Sequence, residues 1–423
     1  MEVGQIPPGP QEKYKSTVDL LKWIGQQFES FGTIYKASIY GTNVYVTRDP
    51  KHAQHVLIDN WQNYVKGQFI KRVGFLLGNG LMVSEGEFWK RQRRMIQPAF
   101  HRDVIGALSK MMTSRNLALL EKWKQAAQKK EPVNVTRDVS SMVLEVVLIA
   151  IFGNDYEQIR ADFSILSEDS ARNMEFASSF RSLGKKILRV AERRRRQEPG
   201  CADIFGMLLG AQDHNGKAMT DASLINEVMT LIVAGHETTA STLAWTWYLI
   251  SQHGEVDEKL SNELVRLLDK DVSELAELPQ FAYTRQILDE TMRLFPAGWL
   301  MTRRALMDDQ LGAYLVPAGT EIYISPYFIQ RNPDLWENPN RFDPGRFDPG
   351  CSKDRHRLAM LPFSAGPRNC IGEFFARIEM QIHLIIIARH LRLEYVQREP
   401  LDLDAGVNLR NKYDFYMTPV LRN

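Results

Sequence analysis

Ten residues, Phe363 to Gly372 (FSAGPRNCIG), restrict this chain more than any other stretch. One cysteine, Cys370, stands between Arg368 and Gly372, and a long apolar helical pattern starts directly behind it. Gly366 permits a turn too tight for a Cβ, and Pro367 fixes φ and stiffens the loop. Gly372 leaves room for a flat ring against the backbone. The N–H groups and positive end of the following helix favour the sulfur as an anion. Phe363 can wall that sulfur from water, and Arg368 offers a fork to a carboxylate. These are the surroundings a thiolate needs to ligate a buried iron. The plainer alternative is a buried cysteine in a Gly/Pro turn.

The 423 residues suffice for two or three ordinary domains or one large one. A charged content of 25% and a hydrophobic content of 44% read as a soluble globular protein. The net charge of +2 is too small to argue for a nucleic-acid partner. Three cysteines, Cys201, Cys351 and Cys370, are too few and too scattered for a disulfide framework or a zinc site, which fits a reducing compartment. There is no apolar run of about 20 residues to span a membrane. The opening MEVGQIPPGP lacks the apolar core of a signal peptide.

Along the chain, Ser16 to Phe31 predicts an amphipathic helix with Val18, Leu21, Ile24 and Phe28 on one face. Thr33–Val46 predicts a hairpin about Gly41-Thr42, and Pro50–Leu57 a short helix. Asn60–Met82 reads as a long loop too apolar for full exposure. In Gly86–Phe100, Trp89 and Arg93 are four apart and share a helix face. Together they can bind one carboxylate; the alternative is a cation–π contact. Val135–Gly153 predicts a buried helix, and Arg193–Arg196 a solvated helix end. Asp221–His253 predicts one long helix with AGHETT, Ala234 to Thr239, at its centre. Gly235 there costs about 1 kcal/mol against alanine. The Thr238 hydroxyl can reach the Ala234 carbonyl and open a groove for dioxygen, and Glu237 supplies a titratable group for a proton path. Glu290 and Arg293 form an i, i+3 pair on a helix from Gln280 to Leu294. Tyr314–Ile324 reads as a hairpin, and Leu401–Arg422 as strands.

The stretch around Cys370 resembles the haem-binding loop of the cytochrome P-450 monooxygenases, F-x-x-G-x-R-x-C-x-G, with every position filled. The central helix matches the family pattern [AG]-G-x-[DE]-T-[TS]. Trp89 and Arg93 match W-x-x-x-R, and Glu290 and Arg293 match E-x-x-R. Phe342–Phe347 (FDPGRF) supplies Arg346, with Gly345 in place of the usual acidic residue. The resemblance runs from about Ile6 to the end.

It implies a mainly α fold with small β-sheets (α+β), a long central helix over the haem and the cysteine loop on the proximal side. One domain over 1–423 is expected, with a β-rich part at about 30–60 and a helical haem-binding core at about 86–423. It implies haem b with Cys370 as the iron ligand. Trp89, Arg93, Ala234, Arg303, Phe363, Arg368, Ile371, Gly372 and Ala376 would contact the cofactor, with Arg304 the near alternative to Arg303 for one propionate. Thr238 is expected to hydrogen-bond oxygen or water, and Glu237 to help deliver the protons that split O–O. Glu290, Arg293 and Arg346 would clamp the loop without taking part in catalysis. Leu81, Met82, Ala234, Ala297 and Val407 would line an apolar substrate pocket. The expected reaction inserts one atom of O2 into an apolar molecule. Long-chain or fatty-acid-like substrates are favoured, with terpenoids and aromatics open. Electrons would come ultimately from NAD(P)H through an external ferredoxin, flavodoxin or reductase docking near Lys90, Arg91 and Arg94. The rivals are a peroxide-driven peroxygenase or hydroperoxide isomerase, and a haem-thiolate sensor. A Pro-rich hinge like Ile6–Pro10 follows an anchor in membrane-bound members. With no anchor here, a soluble, cytoplasmic, bacterial-type protein is expected, a trimmed anchor being the other possibility. Between Gly153 and Asp221 the chain is shorter than is usual in the family, so either the lid is short or residues are missing.

Overall fold

The computed structural model describes residues 5–163, 175–196, 203–351, 355–396 and 400–422. It contains two compact units. The first comprises Met1–Arg72, Asp289–Cys370 and Leu403–Asn411, and the second comprises Val73–Leu288, Ile371–Asp402 and Lys412–Asn423.

The first unit is built on a five-stranded sheet, in the spatial order Ile34–Ile39, Thr42–Thr47, Glu321–Ile324, Met301–Ala305, Tyr64–Lys66. The opening hairpin turns through Tyr40 and Gly41, both at positive φ (50° and 77°), the backbone a two-residue hairpin turn requires. The first helix, Leu20–Phe31, starts later than its apolar period suggests, because the Asp19 side chain caps it by accepting from the Lys22 N–H. Val18 therefore falls outside the helix and is 43% exposed, while Leu21, Ile24 and Phe28 are buried as expected. Tyr314–Ile324 is not a hairpin. Tyr314–Val316 pairs with Asp309–Leu311. Glu321–Ile324 lies between two strands, parallel to Thr42–Thr47 and antiparallel to Met301–Ala305. All four of its residues are buried, as a central strand demands.

Asn60–Met82 is also more ordered than a loop. It contains the strand Tyr64–Lys66 in the first unit, and the helix Gln68–Leu77 follows at once. The apolar spacing of Phe69, Val73 and Leu77 has a helical period that the interspersed glycines obscure.

The second unit is helical. Asp221–Gln252 runs 32 residues, starting at Thr220, whose hydroxyl accepts from the Ser223 N–H. It packs along Val135–Phe152, a helix that ends at Gly153 with φ of 54°. Further helices include Gly86–Ile96, Arg102–Lys129 and Glu373–His390. A small sheet orders Val133–Asn134, Tyr416–Leu421 and Leu391–Tyr395. Between Gly153 and Asp221 stand the helices Tyr156–Phe163, Glu175–Arg196 and Ile204–Gly210; residues 164–174 and 197–202 of that expected lid lie outside the described residues. Arg193–Arg196 is not simply a solvated end. Arg194 is nearly buried and bridges Asp155 and Asp203 at 2.7 and 2.6 Å. No described helix is long and apolar enough to cross a membrane.

Candidate functional site

In the first unit the cysteine loop is closed on itself. The Cys370 N–H donates to the Phe363 carbonyl at 2.9 Å, and the Asn369 N–H to the Gly366 carbonyl at 3.0 Å. Gly366 sits at φ +71°, and a Cβ there would lie 2.0 Å from the Leu57 carbonyl oxygen. Only glycine allows that approach. The backing carbonyl belongs to a π-helical turn, His55–Asp59, a form often found at functional sites. That turn is held by Asp309, which accepts from the His55 ring, Asn60 and the Tyr64 hydroxyl at 2.8, 3.0 and 2.6 Å. Cys370 is exposed.

Glu290, Arg293 and Arg346, expected to act as a clamp, are brought together in the first unit. Arg293 donates to both oxygens of Glu290 at 2.6 and 2.8 Å, and both residues are fully buried. Arg346 approaches Glu290 at 3.4 Å, and the Asp343 N–H donates to it at 2.8 Å. Burial pushes the Glu290 carboxyl up, while Arg293, the Asp343 amide and Arg346 pull the other way. Two partners had no sequence pattern to reveal them. Gln330 donates to the carbonyls of Met292 and Arg293, both at 2.9 Å, and accepts from the Leu361 N–H at 2.7 Å. The guanidinium groups of Arg293 and Arg355 both lie over the Trp336 ring, 5.0 and 3.9 Å from its centre. Asp343 also caps the turn at Gly345, accepting from its N–H at 3.1 Å.

Arg303 lies buried on the strand Met301–Ala305 and donates to the Thr302 carbonyl at 2.9 Å. Its neighbour Arg304 is half-buried near Glu321. Ala297 and Val407 are brought together: the Leu409 N–H donates to the Ala297 carbonyl, and Trp299 Nε1 to the Gly406 carbonyl, both at 3.0 Å. Val407 is 52% exposed on the turn between them.

In the second unit, the long helix is buried over most of its length, yet Ala234, Glu237, Thr238 and Ser241 are not. Their spacing, i, i+3, i+4 and i+7, is one helix face. The Thr238 hydroxyl donates to the Ala234 carbonyl at 2.8 Å, as expected. Thr242 and Thr246 repeat that bond to Thr238 and Thr242, at 2.9 and 2.8 Å. Gly235 has a second reason to be glycine: a Cβ would stand 3.3 Å from Val147 on the neighbouring helix. His236 points to that neighbour as well, 2.9 Å from the Ser140 hydroxyl, and burial lowers its pKa to about 4. It is therefore a packing residue and does not face the Ala234–Thr238 side.

Trp89 is buried and Arg93 half-buried on the helix Gly86–Ile96. On the same helix Arg91 is taken up internally, donating to Asp213 at 2.5 Å and to the Lys217 and Ala218 carbonyls at 3.0 Å. Lys90 pairs with Glu87 at 2.7 Å, and Arg94 is exposed. Leu81 and Met82 are half-buried. Ile371 and Gly372 immediately precede the helix Glu373–His390, and Ala376 lies in its first turn, its N–H donating to the Gly372 carbonyl at 2.9 Å.

The family model for cytochrome P450 matches residues 13–184 and 163–417 of the chain. The chain belongs to the cytochrome P450 family. Two relatives from Streptomyces melanosporofaciens are similar to it. Cyclooctatin synthase is 31% identical over 86% of this chain and 84% of its own length. Cyclooctat-9-en-7-ol 5-monooxygenase is 30% identical over 86% and 83%. The solved structure titled "Retinoic acid bound cyanobacterial CYP120A1" superposes with a TM-score of 0.88 at 22% identity, covering 99% of this chain and 100% of that one. The fold is the P450 fold, and the chain is a haem-dependent cytochrome P450 monooxygenase. Its residues fit the cofactor. Among the described residues no cluster of His, Cys, Asp and Glu could hold a bare metal ion. The exposed Cys370 sulfur, on a loop closed by backbone hydrogen bonds, suits an iron already held by a porphyrin.

Proposed function

We propose that this P450 oxygenates a cyclic, apolar hydrocarbon skeleton or its alcohol, with Cys370 as the iron ligand and Thr238 and Glu237 as the catalytic side chains. Haem, when bound, supplies the activation of dioxygen. Cys370 would donate electron density as a thiolate. Trp89, Arg93, Arg303 and Arg368 would hold the propionates, and Phe363, Ile371, Gly372, Ala376 and Ala234 would contact the ring. The Thr238 hydroxyl, which donates to the Ala234 carbonyl, keeps its lone pairs available to accept a hydrogen bond from oxygen or water in the site. Exposed Glu237 would exchange protons with solvent and help deliver them to the site. The observation that carries this reading is the open face Ala234–Glu237–Thr238–Ser241 on an otherwise buried helix.

The substrate class is supported by the name of the second relative, an oxygenase of an unsaturated cyclic alcohol. Leu81, Met82, Ala234, Ala297 and Val407 would supply the apolar lining. Two electrons would arrive from NAD(P)H through an external acidic donor. Lys90 and Arg94 are the basic groups that support its docking, since Arg91 is engaged with Asp213. The test is a titration of cyclic terpene hydrocarbons and alcohols against straight-chain fatty acids. A low-spin to high-spin shift is followed, then turnover under isotopically labelled dioxygen. A shift with the cyclic compounds and one labelled oxygen per product is expected. A shift with fatty acids alone would replace the substrate class. Equal turnover with peroxide alone would favour a peroxygenase.

A further inference from the structure

Glu227 stands on the long helix, two turns before Ala234 and on the same face, about 10 Å away at 1.5 Å per residue. It is fully buried. One of its oxygens accepts from the Leu81 N–H at 2.8 Å, and the other from Gln92 Nε2 at 3.1 Å. Gln92 lies on the Gly86–Ile96 helix, which also carries Trp89 and Arg93. One carboxyl group thus ties together the long helix, the segment bearing Leu81 and Met82, and the Trp89–Arg93 helix.

The segment is seated closely enough to require its glycines. A Cβ on Gly80 would lie 2.2 Å from Thr230 Oγ1 and 2.7 Å from the Asn226 carbonyl. A Cβ on Gly78, which has φ +69°, would lie 2.2 Å from Asn226 Oδ1. The Thr230 hydroxyl and Gln92 Oε1 are buried with no hydrogen-bond partner among the described residues. The Leu81 amide is held by Glu227.

We propose that Glu227 is a positioning residue: by holding the Leu81 amide it fixes where Leu81 and Met82 stand above the Ala234–Thr238 face, and so sets the shape of the substrate cavity. The proposal rests on the haem-thiolate reading given above. Glu227 itself touches neither substrate nor cofactor. Glutamine at 227 can still accept from the Leu81 N–H; leucine cannot.

The experiment uses the holoenzyme, wild type and the variants Glu227→Gln and Glu227→Leu. Imidazole reports access to the iron, and phenylimidazole adds an arm that meets the cavity wall. Amide hydrogen exchange reports Leu81 directly. In Glu227→Leu, phenylimidazole should weaken about tenfold relative to imidazole, the scale of one buried hydrogen bond lost. Leu81 exchange should accelerate alongside. In Glu227→Gln the affinity ratio should stay within about twofold of wild type. An unchanged ratio and unchanged Leu81 exchange in Glu227→Leu would overturn the proposal. If that variant does not fold, Gly80→Ala displaces the same segment through Thr230 and must shift the same ratio; no shift would again overturn it. Loss of the thiolate-type carbon-monoxide band in the wild type would count against the haem-thiolate reading instead, leaving the exchange result to judge Glu227.

Discussion

Replacing Arg293 by lysine keeps the charge and removes the fork. Arg293 makes five hydrogen bonds, to both Glu290 oxygens and to the carbonyls of Gln330, Pro339 and Arg341. An ammonium has three donors on a point and cannot span that set. At least two buried acceptors lose their donors, at about 1–3 kcal/mol each, and a partly unpaired Glu290 adds to that. The stacking on Trp336 is lost too, about 0.5–1 kcal/mol. The expected loss is about 4 kcal/mol, a large part of the ~5–15 kcal/mol by which a folded protein is stable. Urea unfolding, followed by haem absorbance and tryptophan fluorescence, should show it. The double variant Glu290→Leu/Arg293→Met should remain destabilised as well, because the three carbonyls and the Asp343 N–H stay unpaired. A loss under about 1 kcal/mol in Arg293→Lys would refute the clamp as described.

Thr238→Ala should retain haem but divert reducing equivalents to peroxide; comparing NAD(P)H consumed with product formed checks this, and unchanged coupling contradicts it. His236 gives an acid limb. Its pKa falls from 6.5 unfolded to about 4 folded through burial. The unfolded chain therefore takes the proton first, and stability present above pH 6.5 is lost as pH falls toward 4, by about 3 kcal/mol. The stability difference between wild type and His236→Asn, read from urea midpoints, should therefore shift against the wild type as pH falls from 6.5 toward 4; a difference independent of pH would contradict this. Ser364 sits in the cysteine loop at φ 62° with its hydroxyl buried and lacking a partner among the described residues. Ser364→Gly should stabilise by about 1 kcal/mol, whereas Ser364→Ala should not; thermal unfolding of the two variants decides.

What could be read from the sequence was local. Gly366 as the tight turn, Thr238 bonding back to Ala234, and Glu290 with Arg293 all lie within a few residues of their partners, where spacing determines geometry. What could not be read was long-range. Arg91 reads from the sequence as a basic group for a docking electron donor because its partner Asp213 is 122 residues away. Glu227 meets Gln92 across 135 residues, and no periodicity records such a pair. Gln330 and Trp336 complete the clamp without any motif of their own. The Tyr314–Ile324 misreading has the same origin: Glu321–Ile324 finds its neighbours in two strands distant in sequence, and a turn such as Pro317-Ala318-Gly319 does not say which strands it joins.

The role assigned to Cys370 is tested most directly by the absorption spectrum of the reduced, carbon-monoxide-treated protein, wild type beside Cys370→Ala. A thiolate-type band in the wild type, absent from the variant, is the expected result. A wild-type spectrum without that band, or a variant that keeps it, would contradict Cys370 as the ligand on which the proposed chemistry rests.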